Sequence, residues 1–318
     1  MLIIKEFDNS TLDKEELVQY HVERKRDELG RKLTDEDTSK ISKRIDSLLK
    51  SFITNNFLAY ESEKLVGWLG VRDAIPCTMN LYEYHPIIFS DINKIEIAQK
   101  LIHYSINYAT KKNIGNVRVF TDATKEYVDT YLEIKEYFLS SGMIQTHTVL
   151  CMENQITEEV LQNHVIDGVY HVEPMNLQDR DELLDCYVKI FAGDTDHFTS
   201  SLDEEEQEYW NFTFHTQFTD DSKVITKDNE VVGIAGVHDY DGFIELGPIG
   251  VLPEHRGKRL GKVLMEEILS SLLKRGITKS YLEVDITNTP AIKLYENYGF
   301  VEVSQKHGFL WRAADQKS

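Results

Sequence analysis

The chain has no apolar run near the ~20 residues that a membrane-spanning helix requires, so no membrane crossing is expected. Cysteine is scarce: Cys77, Cys151 and Cys186 lie far apart and show no CxxC spacing. That pattern excludes a disulfide framework and a zinc site, and the three read as small buried apolar residues. Positive charge is also short, with 35 Lys and Arg against 54 Asp and Glu and a formal net charge of −19. A protein that neutralises a phosphate backbone needs the opposite balance, so nucleic acid is not expected as a partner. An acidic field attracts a cationic amine, although it serves solubility equally well. Met1-Leu2-Ile3-Ile4 gives way to Lys5-Glu6-Phe7-Asp8 too soon for a signal peptide, and a cytoplasmic protein, monomer or homodimer, is expected. There is no low-complexity tract and no metal-ligand spacing.

What is present is one pattern written twice within 318 residues, a length that suits two domains. Lys64-Leu65-Val66-Gly67-Trp68-Leu69-Gly70-Val71-Arg72-Asp73 parallels Glu230-Val231-Val232-Gly233-Ile234-Ala235-Gly236-Val237-His238-Asp239. Each reads as the second strand of a hairpin, after Phe57–Tyr60 and Val224–Thr226. Amphipathic helices are expected over Ile95–Lys111 and Gly257–Arg275, then strands at Val117–Phe120 and Tyr281–Val284. A second helix in each half stops at Gly142 or Gly299, before a terminal hairpin. Charge-rich helical stretches, Leu12–Leu49 and Leu177–Gln217, precede the two cores, and Glu153–His164 reads as a polar linker. The expected domains are therefore 1–152 and 166–318, joined by 153–165. The acidic cluster Asp203-Glu204-Glu205-Glu206 reads as a solvated first helical turn.

The most informative segment runs from Ile244 through Glu245, Ile249-Gly250-Val251 and Pro253 to Arg256-Gly257-Lys258-Arg259-Leu260-Gly261. A strand feeding a helix through a basic, glycine-bearing loop aims free N–H groups and the positive helix end at one point, where a pyrophosphate can sit. The segment resembles the phosphate loop of the GCN5-related N-acetyltransferase (GNAT) family, Gln/Arg-x-x-Gly-x-Gly/Ala after a strand ending in Val-x-Pro. Arg256 takes the first position and Gly261 the last, while Arg259 stands for the internal glycine and is expected in helical φ/ψ. A second signature follows in the right order: Asn288-Thr289-Pro290-Ala291-Ile292-Lys293-Leu294-Tyr295-Glu296-Asn297-Tyr298-Gly299-Phe300 is similar to the family's Asn-x-x-Ala-x-x-Leu-Tyr-x-x-x-Gly-Phe.

The resemblance implies an α/β fold of the α+β kind: two tandem GNAT-like domains, each a mixed, mostly antiparallel twisted sheet with flanking helices. It implies acetyl-CoA as cosubstrate, a primary amine as acceptor and no metal. Tandem members exist in which one domain does the chemistry. Ile249, Gly250 and Val251, on a strand that splays from its neighbour, would bond the pantetheine amides. Asn288 would bond the cofactor arm or else cap its helix. Glu245 matches the position of a general base in some members, with Glu283 acting through a water as its rival and His238 and Asp239 as lesser candidates. Tyr295 matches the tyrosine that protonates the departing thiolate. A protein that senses acyl-CoA without turnover, or a transferase of longer acyl groups, remains open, and the acceptor pocket is expected around Phe198–Phe218 and parts of the first half.

Aligned without gaps on Leu101 and Leu264, the first half puts Asn93 for Arg256, Lys94 for Gly257 and Glu96 for Arg259. Positive charge and glycine access are both reduced there, so the first domain is expected to hold no CoA.

Overall fold

A computed structural model describes residues 2–6, 14–29, 32–50, 54–75, 78–82, 85–123, 128–162, 164–175, 178–191, 219–240 and 242–317. The chain forms two compact units, Met1–Thr146 with His307–Ser318, and His147–Lys306.

The first unit runs β1 (Leu2–Glu6), α1 (Lys14–Leu29), α2 (Asp35–Lys50), β2 (Thr54–Glu61), β3 (Lys64–Ile75), β4 (Thr78–Leu81), β5 (Ile87–Ile88), α3 (Lys94–Lys111), β6 (Asn116–Asp122) and α4 (Val128–Ser140). Strands β1, β2, β3 and β4 pair antiparallel in that order, and β4 pairs with β6 in parallel. β7 (Ile144–Gln155) begins in this unit and continues in the second.

In the second unit, β8 (Tyr170–Pro174), α5 (Arg180–Ile190), β9 (Lys223–Lys227), β10 (Glu230–Tyr240), β11 (Phe243–Val251), α6 (Leu260–Lys274), β12 (Lys279–Asp285) and α7 (Thr289–Glu296) follow the same plan. Strands β8, β9, β10 and β11 pair antiparallel in order, β11 meets β12 in parallel, and β12 pairs antiparallel with β7 from Val149 to Gln155. The last strand, β13 (Val301–Arg312), begins here and ends in the first unit.

The repeated hairpins close on two-residue turns, Ser62-Glu63 with φ 49° and 71° and Asp228-Asn229 with φ 54° and 65°. Left-handed φ at both positions matches the twist of antiparallel strands. Gly67 and Gly233 sit where the following helix crosses the sheet: an added Cβ would lie 2.9 Å from Leu101 Cδ1 in one and 3.3 Å from Leu264 Cδ1 in the other. The alignment of Leu101 with Leu264 is thus realised in space.

Three expectations are corrected. The compact units exchange the ends of the repeats, whereas 1–152 and 166–318 cut the chain once. Residues 153–165 are no free linker: Glu153, Asn154 and Gln155 pair with Tyr281, Ser280 and Lys279, and Ile156 donates its amide to Thr278 O at 2.7 Å. Past it, the Glu266 carboxylate of α6 accepts from the Gln162 and His164 amides at 3.0 and 2.6 Å. Each repeat closes with one long strand, in place of a hairpin. Alternating polarity marks a strand but does not name its partner. Of the preceding helical stretches, α1, α2 and α5 form, and residues 192–218 lie outside those described.

Phe309 is fully buried in the first unit's core, against Phe138 at a ring distance of 5.1 Å. Phe309→Ala is expected to destabilise the first unit by about 3–5 kcal/mol. Hydrogen exchange should show faster opening of amides in α3 and α4, with those of α6 little changed.

Candidate active site

The site begins where β11 leaves β12. The parallel register comprises Glu245 with Tyr281 and Leu246 with Leu282. Immediately beyond, Gly247 and Pro248 on β11 stand opposite Gly236 alone on β10, so the register shifts between Ala235 and Val237. Gly247 takes φ 149°, which a side chain disfavours, and Pro248 has no N–H to give a neighbouring strand. His238 Nε2 donates to the Gly247 carbonyl at 3.0 Å and braces the bulge. From Ile249 to Val251 the strand stays paired with β10 and the edge toward β12 is open. Leu252 donates to Val232 O at 2.9 Å, and by the alternation of an antiparallel ladder Gly250 also faces β10. The backbone groups of Ile249 and Val251 therefore point to the open side.

Gly250 is required by packing, since an added Cβ would lie 2.3 Å from Ile190 Cγ2 at the end of α5. Helix α5 thus covers the sheet face opposite α6.

Past Val251 a single 3₁₀ turn, Pro253–His255, leads into the loop. Arg256 spends its guanidinium on structure, donating Nε to Val251 O at 3.0 Å and Nη2 to Ile190 O at 3.1 Å. Gly257 has φ 79° and Arg259 φ 63°. The expectation for Arg259 is corrected here: it is the left-handed N-cap of α6, which begins at Leu260 and not at Gly257. A glycine takes that conformation without strain, whereas a side chain raises its energy by about 1 kcal/mol. The amides of Gly257, Lys258, Arg259, Leu260 and Gly261 donate to no acceptor among the described residues, and they lie at the positive end of α6. Lys258 Nζ donates to Tyr170 Oη at 2.9 Å, and that hydroxyl lies 3.0 Å from His255 Nδ1.

Glu245 is half-buried on the α5 face, in register with His238 and Tyr281. Burial first, then the Glu283 charge, pushes its carboxyl up to about 6 against the opposing pull of Lys306. Glu283 accepts from Tyr281 Oη at 2.7 Å and from Lys306 Nζ at 2.6 Å, so its carboxylate is already engaged. Tyr295 is buried on α7, and burial pushes its hydroxyl up to about 12. That hydroxyl makes no hydrogen bond among the described residues. Asn288 takes the capping alternative, its Oδ1 accepting the Ala291 amide at 3.3 Å. Asp239 is held by Arg275 at 3.6 Å and by the Gly242 amide at 2.8 Å.

Residues 183–300, which carry the opened strand, the loop of unpaired amides and the capped helix with its buried tyrosine, match the model of the acetyltransferase (GNAT) family. This stretch is a GNAT domain. The [ribosomal protein bS18]-alanine N-acetyltransferase of Escherichia coli K12 is 38% identical over 61 residues, 19% of this chain and 41% of that protein. A mycothiol acetyltransferase of Thermobispora bispora is 46% identical over 61 residues, 19% of this chain and 21% of that protein. The chain thus spans less than half the length of these relatives. Among solved structures, a GCN5-related N-acetyltransferase from Sphaerobacter thermophilus covers 98% of this chain and 95% of its own at TM-score 0.65 and 12% identity. A tandem GNAT protein from the clavulanic acid biosynthesis pathway covers 98% and 99% at TM-score 0.61 and 13% identity. At such identities the likeness is one of fold.

Within the GNAT domain Ile249 and Val251, the loop Arg256–Gly261 and the start of α7 follow one another along the chain, whereas the Gly250 backbone, expected at the pantetheine amides with them, faces β10 instead. Tyr170, Ile190 and Lys306 escaped sequence reasoning, because their roles come from packing between segments far apart in the chain. Cys151 and Cys186 are buried, and burial pushes the Cys186 thiol up to about 12, as suits a core residue. Cys77, Asp203–Glu206 and Phe198–Phe218 lie outside the described residues. Among the described residues no three His, Cys, Asp or Glu side chains could hold a metal ion, and no helix is long and apolar enough to cross a membrane.

The corresponding place in the first unit is built differently. Helices α3 and α6 end alike, with Ile114 and Ile277 donating to Ala109 O and Leu272 O at 2.9 and 3.0 Å after a left-handed Asn113 or Gly276. Yet α3 has 18 residues and α6 has 15, so α3 starts three residues earlier. Lys94, Ile95 and Glu96 are helical where the second unit has Gly257, Lys258 and Arg259 in its loop. The groove there, about 690 Å3, is lined by four carboxylates, Asp91, Glu96, Glu133 and Glu136, and one ammonium, Lys94.

The Glu245 shift has a sign that can be checked. Its folded pKa of about 6 lies above the ordinary 4.5, so the folded state disfavours the ionised form. No penalty exists below pH 4.5; it grows through pH 6 and is complete above. Glu245→Gln should therefore raise the unfolding free energy by up to about 2 kcal/mol at pH 8 and by little at pH 4. Urea titrations at the two pH values test this, and an equal effect at both would assign the residue no electrostatic penalty.

Proposed function

We propose that the second unit is an acyl-CoA-dependent N-acyltransferase that moves the acetyl group of acetyl-CoA to a primary amine of a small molecule or peptide. The observation that carries this reading is the opened edge of β11 lying between a half-buried carboxylate and a loop of unpaired amides. On this reading the amides of Gly257–Gly261 and the N-terminus of α6 hold the pyrophosphate, with Lys258 and Arg259 adding positive charge. Arg256 shapes the loop through the Val251 and Ile190 carbonyls. Ile249 and Val251 offer backbone groups to the pantetheine amides.

The amine arrives protonated and must lose a proton before its nitrogen attacks the thioester carbonyl. Glu245, titrating near 6, is ionised at neutral pH and can accept it. When the carbon–sulfur bond breaks, Tyr295 can hand its proton to the thiolate, leaving an amide and free CoA. Glu283 is the weaker base because Tyr281 and Lys306 already engage it. The first unit, with an added helical turn and four carboxylates at the equivalent place, is assigned no CoA. The two relatives carry different names, one for a ribosomal protein alanine and the other for mycothiol, so neither acceptor is transferred to this chain.

Thiol release from acetyl-CoA with a panel of amines tests the reading. Glu245→Gln should slow turnover by about 10²–10⁴-fold and abolish an acidic limb near pH 6 in kcat/KM. Tyr295→Phe should lower kcat with acetyl-CoA affinity unchanged. Calorimetry should find one acetyl-CoA per chain; a stoichiometry of two would overturn the assignment of the first unit.

A further inference from the structure

The α5 face of the second unit sets a row of rings beside a row of carboxylates on three adjoining strands. His238 and Tyr240 of β10 stack at 5.8 Å with ring planes 9° apart. Phe243 of β11 lies 5.2 Å from the Tyr281 ring of β12. Tyr240 and Phe243 are register partners, and one step along the same face Glu245 pairs with His238. Tyr240 is 51% and Phe243 48% exposed, so two large rings meet solvent beside a half-buried carboxylate. The charges do not balance: Glu283 is matched by Lys306 at 2.6 Å, while Glu245 forms no ion pair among the described residues.

We propose that this face is the acceptor subsite and that it takes an arylalkylamine, a cationic primary amine on a short arm from a flat ring. Phe243 and Glu245 are two residues apart on one strand face, a spacing of about 6.6 Å. A ring seated on Phe243 and Tyr240 therefore brings an ammonium on a two-carbon arm to the Glu245 carboxylate. Offset or edge-on ring contacts add to the area buried, and the unbalanced carboxylate selects the cation. Amines that also carry a carboxylate are repelled, and polar amines without an apolar body forgo the ring contacts. Only the fate of the amine rests on the acyl-transfer reading; its binding does not.

Calorimetry on the full chain with 2-phenylethylamine, ethylamine and 2-phenylethanol tests the subsite. The aryl amine should bind about tenfold or more tightly than ethylamine, which lacks the ring, and than 2-phenylethanol, which lacks the charge. Phe243→Ala, and Phe243→Leu as a variant that keeps an apolar side chain, should each weaken the aryl amine by about tenfold and leave acetyl-CoA affinity unchanged. Equal binding of ethylamine, or indifference of 2-phenylethylamine to both Phe243 variants, would overturn the proposal. Ring-selective binding without thiol release would sink the acyl-transfer reading and leave the subsite standing. Thiol release from ethylamine without ring-selective binding would do the reverse.

Discussion

Parallel pairing between β11 and β12 stops after Leu246, and the rest of the candidate site depends on that stop. A strand that leaves its neighbour exposes backbone groups that must find other partners. Here the departure is built into the chain at Gly247 and Pro248, the one free to take φ 149° and the other without an amide to pair. His238 braces the carbonyl left at the bend. The opened strand then accepts the end of α5, which fits only because Gly250 has no side chain to meet Ile190. Arg256 completes the arrangement by taking one carbonyl from the opened strand and one from the last turn of α5. A single guanidinium thus ties strand, helix end and loop together, so its energetic role is to order the loop as much as to add charge.

The two units build the start of the same helix in two ways. Their sheets, hairpin turns and the closing turns of α3 and α6 correspond, as does the crossing of Gly67 or Gly233 by its helix. What differs is the first turn. Winding Lys94, Ile95 and Glu96 into α3 gives those residues ordinary helical φ and lets Glu96 pair with Lys100 at 2.8 Å, which holds its carboxyl below the usual range. Leaving Gly257, Lys258 and Arg259 unwound keeps amides unpaired and puts the left-handed N-cap on Arg259, where α3 has it on Asn93, a residue that takes it more readily. Amides left unpaired at a helix start are groups that an anion can satisfy.

Much of this was legible in the chain. Strand and helix periodicity placed β2, β3, β9, β10, β6 and β12 and both long helices to within a few residues, and the glycines that end α4 and α7 stand at φ 81° and 78°. The loop was legible because Gly257 and the basic residues around it lie close in sequence. Arg259 misled because an arginine's intrinsic preference is helical, and here the loop's path to α6 overrides it. Strand partners were not legible. Apolar runs such as Val149-Leu150-Cys151-Met152 and Phe309-Leu310-Trp311 suit a strand, but they do not say which ladder it joins. Contacts such as Tyr170 with Lys258 join residues 88 positions apart and leave no local mark.

The exchanged ends bear on the site itself. β12 carries Tyr281 and Glu283, and one of its edges is covered by β7 over Val149–Gln155. On its other edge the parallel register with β11 holds only at Tyr281 and Leu282, so β12 depends heavily on that cover. A domain beginning at residue 166, where the sequence motifs alone would start it, lacks that strand. It would present β12 as an unpaired edge next to Glu245, open to water and to other strands. Water at that edge would weaken the desolvation that raises the Glu245 carboxyl, since burial is the larger of its causes. The motifs of the GNAT domain lie within residues 183–300, but β12, the strand beside its carboxylate, is itself held on the far edge by residues 149–155.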